Sequence, residues 1–144
     1  MRSAISLVAL TVALSLGAVD AHAGQAPNAA ADVLATVRIP QAALANGKPL
    51  PPGTYELRLT REQPAPLKGQ SADAQRWVEF VAGGAVAGRE VAEILRDSDL
   101  PAVGASAVPS GTGTRVDLLK GGDFLRISVK RGGERYLVYL PVAP

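Results

Sequence analysis

Two Gly-Gly pairs near the C-terminal end of the sequence constrain the fold more than any other feature. They separate three segments in which apolar and polar residues alternate: TRVDLLK at 114–120, DFLRISVKR at 123–131 and ERYLVYL at 134–140. Alternation with a period of two is typical of β-strands, and glycine pairs supply the positive φ angles that two-residue hairpin turns need. The segments are therefore predicted to form a three-stranded antiparallel meander.

Two-residue turns at both glycine pairs also fix the register of this meander. Asp117 then faces Arg126, and Arg126 faces Tyr139 on the next strand. A slip by one residue would move every side chain to the other face of the sheet. The predicted register pairs opposite charges and leaves one uniformly apolar face, with the rows Val116–Ile127–Val138 and Leu118–Leu125–Leu140.

Four earlier segments also have the composition of strands: DVLATVRI at 32–39, TYELRLT at 54–60, QRWVEFVA at 75–82 and AVAGREVAEILR at 85–96. The last is ambiguous, because a helix from Arg89 would also gather its apolar residues on one face. Gly88 and the β-branched residues favour a strand with a bulge at Gly88. The fold class is therefore predicted to be all-β, an antiparallel β-sandwich of about seven strands, with a small β-barrel as the alternative.

The segments between these strands are predicted to be connections. Residues 41–53 are rich in turn-forming residues and leave room for one short turn at Gln41–Ala45, while residues 61–74 and 97–113 are loops. We expect Gly53 to take the tight turn before the strand at 54–60, because glycine adopts positive φ without steric cost. Tyr55 is then expected to anchor that strand in the core.

Residues 1–23 have the three-part pattern of a secretory signal peptide. A positive charge at Arg2 precedes an apolar run, and Ala21-His22-Ala23 matches an A-x-A cleavage site. A membrane anchor is the alternative, but the run is short for a span of ~20 apolar residues. We expect an exported protein, periplasmic or extracellular, with a flexible mature N-terminus at 24–31 and one β domain at 32–144.

The residue types of this expected mature chain exclude several chemistries. The chain has no cysteine, and its single methionine and single histidine both lie in the signal segment. Zinc, copper, haem and iron–sulfur sites depend on such ligands, and Ser–His–Asp or Cys–His catalysis needs a histidine base. An oxygen-ligated Ca²⁺ or Mg²⁺ site stays open, but Asp97-Ser98-Asp99 lacks the rest of a calcium-loop pattern, so no cofactor or metal site is expected. A formal net charge of +2 gives no indication of nucleic-acid binding.

Carboxylate chemistry remains open to this chain. The candidate pairs are Glu79 with Glu90 and Asp97 with Asp99, and neither pair lies in a recognised motif. Surface carboxylates are common, so we interpret both pairs as solvent-facing residues. The sole tryptophan, Trp77, is interpreted as a core or rim aromatic of the sandwich. An alternative turn placement would set Trp77 opposite Arg89, with Arg76 opposite Glu90 and Phe80 opposite Val86.

The best-specified polar group is the row Asp117–Arg126–Tyr139, opposite the apolar face of the meander. An arginine oriented by a carboxylate and stacked on a ring suits a ligand or partner, although a cross-strand salt bridge with a cation–π contact explains the same residues. The flanking Phe124 and Leu137 make this face more apolar than solvent requires. The predicted binding residues are therefore Asp117, Arg126, Tyr139, Phe124 and Leu137, and no catalytic residue is predicted.

The stretch NGKPLPPGTYELRL resembles the strand-entry segment of transthyretin-like and carboxypeptidase-regulatory-like β-sandwich domains of exported proteins. The matching positions are Gly47, Pro49, Leu50, Gly53, Tyr55 and Leu57. This resemblance implies a β-sandwich and no activity. The remaining strands, from WVEFVAGGAVAGREVA to LLKGGDFLRISVKRGGERYLVYLP, look like those of small uncharacterised secreted bacterial proteins.

These observations predict an exported, non-catalytic module with a binding, accessory or envelope-structural role. A polypeptide partner is the leading expectation. If the strand at 135–140 forms a sheet edge, self-association through that edge is a further hypothesis. The alternative is a carboxylate-based enzyme or a carbohydrate-binding domain that uses Trp77.

Overall fold

The structure, a computed structural model, describes residues 32–99 and 113–144. The predicted signal peptide, the mature N-terminus at 24–31 and most of the loop at 97–113 lie outside these residues. The strands are β1 (Asp32–Ile39), β2 (Ala43–Ala45), β3 (Lys48–Leu50), β4 (Gly53–Leu59), β5 (Gln75–Ala82), β6 (Ala85–Arg96), β7 (Thr114–Leu118), β8 (Phe124–Arg131) and β9 (Glu134–Pro141). Single 3₁₀ turns occur at Ala72–Ala74 and Asp97–Asp99.

Seven of these strands form one antiparallel sheet with the order β1-β4-β5-β6-β9-β8-β7, and β2 and β3 form a separate hairpin. The sheet curls until β1 approaches β7 and β8, so that it is nearly barrel-shaped. Arg131 donates a hydrogen bond from Nη1 to the Val33 carbonyl oxygen at 2.6 Å across this approach. The predicted antiparallel all-β fold is confirmed, and its curled sheet has the form of the small barrel.

The C-terminal meander has the predicted register. Asp117 pairs with Arg126, and Arg126 pairs with Tyr139. The apolar rows point inward on β8 and β9, where Leu125, Ile127 and Leu140 are fully buried, but Leu118 on β7 is 54% exposed. The hypothesis of an edge at 135–140 is wrong, however, because β9 lies between β6 and β8. The edges of the sheet are β1 and β7.

Residues 85–96 form the long strand β6 rather than a helix. Phe80 pairs with Gly88 while Val81 pairs with Val86, so Ala87 is an extra residue that bulges next to the predicted position. A Cβ atom on Gly88 would lie 2.9 Å from the Cβ atom of Ala45. Glycine is therefore required where the β2–β3 hairpin packs against β6.

The β2–β3 hairpin lies within the segment that was predicted to be a connection. Asn46 (φ 48°) and Gly47 (φ 77°) form its turn, and two successive positive φ angles are typical of a type I′ hairpin. Ala43, Ala45 and Leu50 are almost completely buried, so the hairpin belongs to the core. The sequence prediction was wrong here because the strands have only three residues each and one contains Pro49.

The expectation for Tyr55 is confirmed and that for Gly53 is wrong. Tyr55 is 5% exposed, packs edge-on against Phe80 and donates a hydrogen bond from its hydroxyl to the Pro51 carbonyl oxygen at 2.7 Å. Gly53 has no positive φ and is the first residue of β4. The tight turn of this region is at Asn46-Gly47 instead.

Candidate functional site

The predicted polar row lies on the outward face of the meander. Asp117, Arg126 and Tyr139 alternate along their strands with inward-facing core residues, and all three are half-buried. The Arg126 Nη2 atom is 3.5 Å from the Asp117 Oδ2 atom, and both side chains are about one-fifth exposed. An ion pair at this depth is worth at most ~1 kcal/mol, but it holds the guanidinium in one orientation.

Asp117 has a second basic neighbour on its own strand. The Arg115 Nε atom donates a hydrogen bond to Asp117 Oδ1 at 2.7 Å. The carboxylate therefore lies between two guanidinium groups, one exposed and one half-buried. Asp117 thus contacts both Arg115 and Arg126 and helps to orient the Arg126 side chain.

The predicted stacking of Arg126 on Tyr139 is not observed. Over the residues that the structure describes, the cation–π contact recorded is between Arg89 and Trp77. Tyr139 lies opposite Arg126 on the neighbouring strand, but its ring does not stack on the guanidinium group. The Tyr139 ring and the Arg126 guanidinium are therefore neighbours on the outward face without a cation–π contact.

The two apolar residues predicted for this face differ in exposure. Phe124, at the start of β8, is 43% exposed. Leu137 is 3% exposed and contributes almost no accessible surface, which corrects the expectation of an exposed patch around it. Leu137 lies on a central strand with Glu93 on one side and Ser128 on the other, and neighbours on both sides reduce its exposure.

The strand pairing extends the polar row across the sheet. Ala92 pairs with Val138, which sets Val91 and Tyr139 side by side on the outward face, and Val91 pairs with Trp77. One line of half-buried side chains therefore crosses β5, β6, β9, β8 and β7. We call it the outer stripe, and it consists of Trp77, Val91, Tyr139, Arg126 and Asp117.

Trp77 is held in the outer stripe by charged neighbours. The Arg89 guanidinium lies 4.4 Å from the centre of the indole ring and pairs with Glu62 through a 2.6 Å contact. The predicted alternative pairing of Trp77 with Arg89 is wrong in register, because the bulge at Ala87 shifts β6. Trp77 pairs with Val91 instead, and Arg89, which pairs with Glu79, contacts the ring diagonally. One face of the indole is thereby covered, which leaves less ring surface for a sugar.

The candidate carboxylate pairs are separated in the structure. Glu90 pairs with Val78, so it faces the opposite side of the sheet from Glu79, and its carboxylate accepts a hydrogen bond from the Asn46 backbone nitrogen at 2.6 Å. Asp97 is 3.3 Å from the Lys130 amine, whereas Asp99 accepts a hydrogen bond from Ser98. Neither pair shares a cleft in the way that glycoside hydrolysis requires.

A small cavity lies at the end of β6, beside the 3₁₀ turn that precedes β5. Its volume is about 100 Å³, and its lining residues are Ser71, Asp73, Ala74, Ile94, Arg96 and Asp99. Ligand pockets typically enclose roughly 300–1,000 Å³, so this cavity suits only a very small molecule. Sequence reasoning missed it, because the pairing of distant segments creates it.

Tyr136 lies near this cavity, paired with Ile94 on the inward face. Its hydroxyl donates a hydrogen bond to Glu134 Oε2 at 2.5 Å. Burial, followed by the hydrogen bond to Glu134, raises the pKa of Tyr136 to about 12. The phenol therefore remains a neutral hydrogen-bond donor at physiological pH and does not act as a base.

Comparison with protein-family models, with curated proteins and with solved structures finds no match for this chain. Within residues 32–99 and 113–144, no helix is long and apolar enough to span a membrane. The same residues contain no group of three or more His, Cys, Asp or Glu side chains that could hold a metal ion.

Proposed function

We propose that this chain is an exported, non-catalytic β module that binds a polypeptide partner through the outer stripe. The observation that carries this proposal is the assembly of Trp77, Tyr139 and Arg126 on one outward face, beside the exposed Phe124. Tryptophan, tyrosine and arginine are the residues that dominate binding energy in protein interfaces. Their presence in a single stripe favours a macromolecular ligand.

The geometry of the outer stripe suits a protein surface. Its side chains are already half-buried, Arg126 and Asp117 form an ion pair, and Arg89 lies against Trp77, so a partner would immobilise few additional rotamers. The stripe belongs to hydrogen-bonded strands rather than to loops, which keeps its residues in a fixed order. Association with a rigid, preorganised surface retains more of the gross interaction energy.

Export is supported by the N-terminal sequence pattern, and a structural role in the envelope is compatible with the same surface. The proposal also retains the short resemblance to transthyretin-like domains, because that resemblance implies an exported β domain. The alternative is an enzyme or a carbohydrate-binding domain. The observation favouring it is the convergence of Asp73, Asp99 and Arg96 on one cavity.

Capture of partners from an envelope fraction, followed by mass spectrometry, tests the proposal. Wild-type protein is compared with Arg126→Ala and with Arg61→Ala, a charge-matched control in the exposed loop after β4. We expect Arg126→Ala to lose a polypeptide that wild type and Arg61→Ala both retain. Equal capture by all three proteins, or capture by none, would contradict binding through the outer stripe.

A further inference from the structure

The curled sheet has a seam where its edge strands meet. β1 pairs only with β4, and β7 pairs only with β8, so the described part of the sheet has no backbone ladder between β1 and β7. The two strands nevertheless approach each other closely. Edge strands present unpaired backbone N–H and C=O groups, which makes the seam a place where strands can be exchanged.

β7 is the more weakly held of the two edge strands. It has five residues, none of which is fully buried, whereas β1 contributes Val37 and Ile39 to the core. Beside β7 in the sheet, β8 carries Leu125, Ile127 and Val129 on its inward face, and these residues are at most 3% exposed. Removal of β7 would uncover a formed apolar surface and a free strand edge that require an extended segment as a replacement.

The connection before β7 is long enough to carry it to a neighbouring molecule, and the connection after it contains a glycine turn. Residues 100–112 separate the end of the 3₁₀ turn at Asp97–Asp99 from Gly113, a length of chain that reaches roughly 40 Å when extended. On the other side, Gly121 and Gly122 form the turn before β8, with φ angles of 104° and 81°. Glycine also adopts extended conformations readily, so this turn can open.

We propose that two copies of this chain exchange β7, each placing it between β8 and β1 of the other. A second copy supplies a strand with the required pattern: Val116 opposite Ile127, Leu118 opposite Leu125, and the Asp117 carboxylate opposite Arg126. Exchange of an identical element is a low-cost route to a dimer. The inference is independent of the proposed function, because the exchanged strand rebuilds the same outer stripe.

A disulfide between β7 and β8 tests this exchange. The chain contains no cysteine, so Asp117→Cys with Arg126→Cys introduces a single pair at directly opposed positions. Arg115→Cys with Ser128→Cys joins the same strands without altering the Asp117–Arg126 pair. The control, Glu79→Cys with Arg89→Cys, joins β5 to β6 and leaves β7 free.

Each variant is oxidised at low concentration and then concentrated for light scattering. We expect wild type, the oxidised control and the reduced β7–β8 variants to form dimers, and both oxidised β7–β8 variants to remain monomeric. A wild type that stays monomeric at high concentration overturns the proposal. Dimers of both oxidised β7–β8 variants whose chains are not joined by a disulfide overturn it equally, because an exchanged dimer would be linked between chains.

Discussion

Gly88 and Gly53 illustrate how the surroundings of a residue decide its tolerance to change. A Cβ on Gly88 would lie only 2.9 Å from the Ala45 Cβ, which belongs to a packed hairpin. A Cβ on Gly53 would meet Tyr55 at 3.6 Å, an ordinary contact. The sequence predicted that Gly53 would need to be glycine for a tight turn. In the structure, the position that requires glycine is Gly88, because of its close packing against Ala45.

We therefore expect Gly88→Ala to lower the free energy of unfolding by ~1–3 kcal/mol through overpacking. Gly53→Ala is the matched control and should leave stability unchanged or raise it by up to ~1 kcal/mol, because alanine restricts the unfolded chain. Urea denaturation of both variants measures the difference. Equal stability of the two variants would show that the hairpin does not press on β6 at this point.

Tyr136 gives the molecule a defined response to alkaline pH. Its pKa is raised from 10.0 to about 12 in the folded protein. Below pH 10 the phenol is protonated in both states, so its contribution to stability is complete. Between pH 10 and 12 the unfolded chain loses the proton first, and the free energy of unfolding falls as the pH rises.

Tyr136→Phe should remove this alkaline component from the pH dependence of urea unfolding. Tyr139→Phe deletes a phenol hydroxyl from the outer stripe and serves as the control that retains it. The tyrosinate absorbance of wild type should also show late ionisation of Tyr136 and of Tyr55, because burial raises the pKa of both phenols. If the pH profiles of wild type and Tyr136→Phe coincide between pH 10 and 12, the hydroxyl of Tyr136 is not protected as described.

The residues of the candidate site were only partly predictable. Asp117, Arg126 and Tyr139 could be aligned from the sequence, because two short turns fix their register locally. The burial of Leu137 could not, because it depends on where β9 lies in the sheet. Trp77 joins the same stripe through the β6–β9 pairing, and that pairing of distant segments leaves no local signal.

Among the elements, the β2–β3 hairpin is the one whose contribution to the core could not be predicted from the sequence. Its strands are short, yet Leu50 is 1% exposed and lies in the same core cluster as residues from the large sheet. Glu90 holds its turn through the backbone nitrogen of Asn46. A segment with the appearance of a connection thus closes part of the core.

Leu50→Ala should consequently cost ~2–5 kcal/mol of stability, as expected for a large buried side chain. Leu67→Ala is the control in the loop after β4, where the side chain is 72% exposed and a change within ~0.5 kcal/mol is expected. Denaturant unfolding distinguishes the two cases. A small effect of Leu50→Ala would mean that the hairpin is not part of the cooperative core.

Strand β6 shows why a single-sequence pattern leaves alternatives open at the scale of an element. Its apolar residues satisfy both a helical and an extended reading, and only the pairing with β5 on one side and β9 on the other decides for the strand. The bulge at Ala87 was foreseeable from Gly88, since glycine inside a strand pattern is a common bulge signal. Its effect on the register of Trp77 was not.

At the scale of the whole molecule, the composition and spacing of strands predicted the all-β class, while the sheet order lay beyond local reasoning. In the sheet, β7 does not lie next to β6, although it follows β6 in the sequence. The later strands β9 and β8 lie between them, so β9 is an inner strand. This order removes β9 from the edge and creates the seam between β1 and β7. Both consequences follow from non-local pairing, which neither turn residues nor periodicity encode.

The shape of the molecule also separates the two candidate functions. The outer stripe and Phe124 lie on the outward face of the sheet, whereas the cavity with Asp73 and Asp99 lies at the end of β6. A polypeptide partner would contact the first surface, and a small substrate would enter the second. Position-specific crosslinking therefore distinguishes a binding module from an enzyme.

The most direct test of the proposed function is crosslinking in intact cells that produce the chain. A photoreactive phenylalanine analogue is placed at position 124, beside the outer stripe, and in a second protein at position 73, in the cavity lining. We predict that position 124 crosslinks to a discrete polypeptide and that position 73 does not. Crosslinks from position 73 alone, or none from position 124, would contradict binding through the outer stripe.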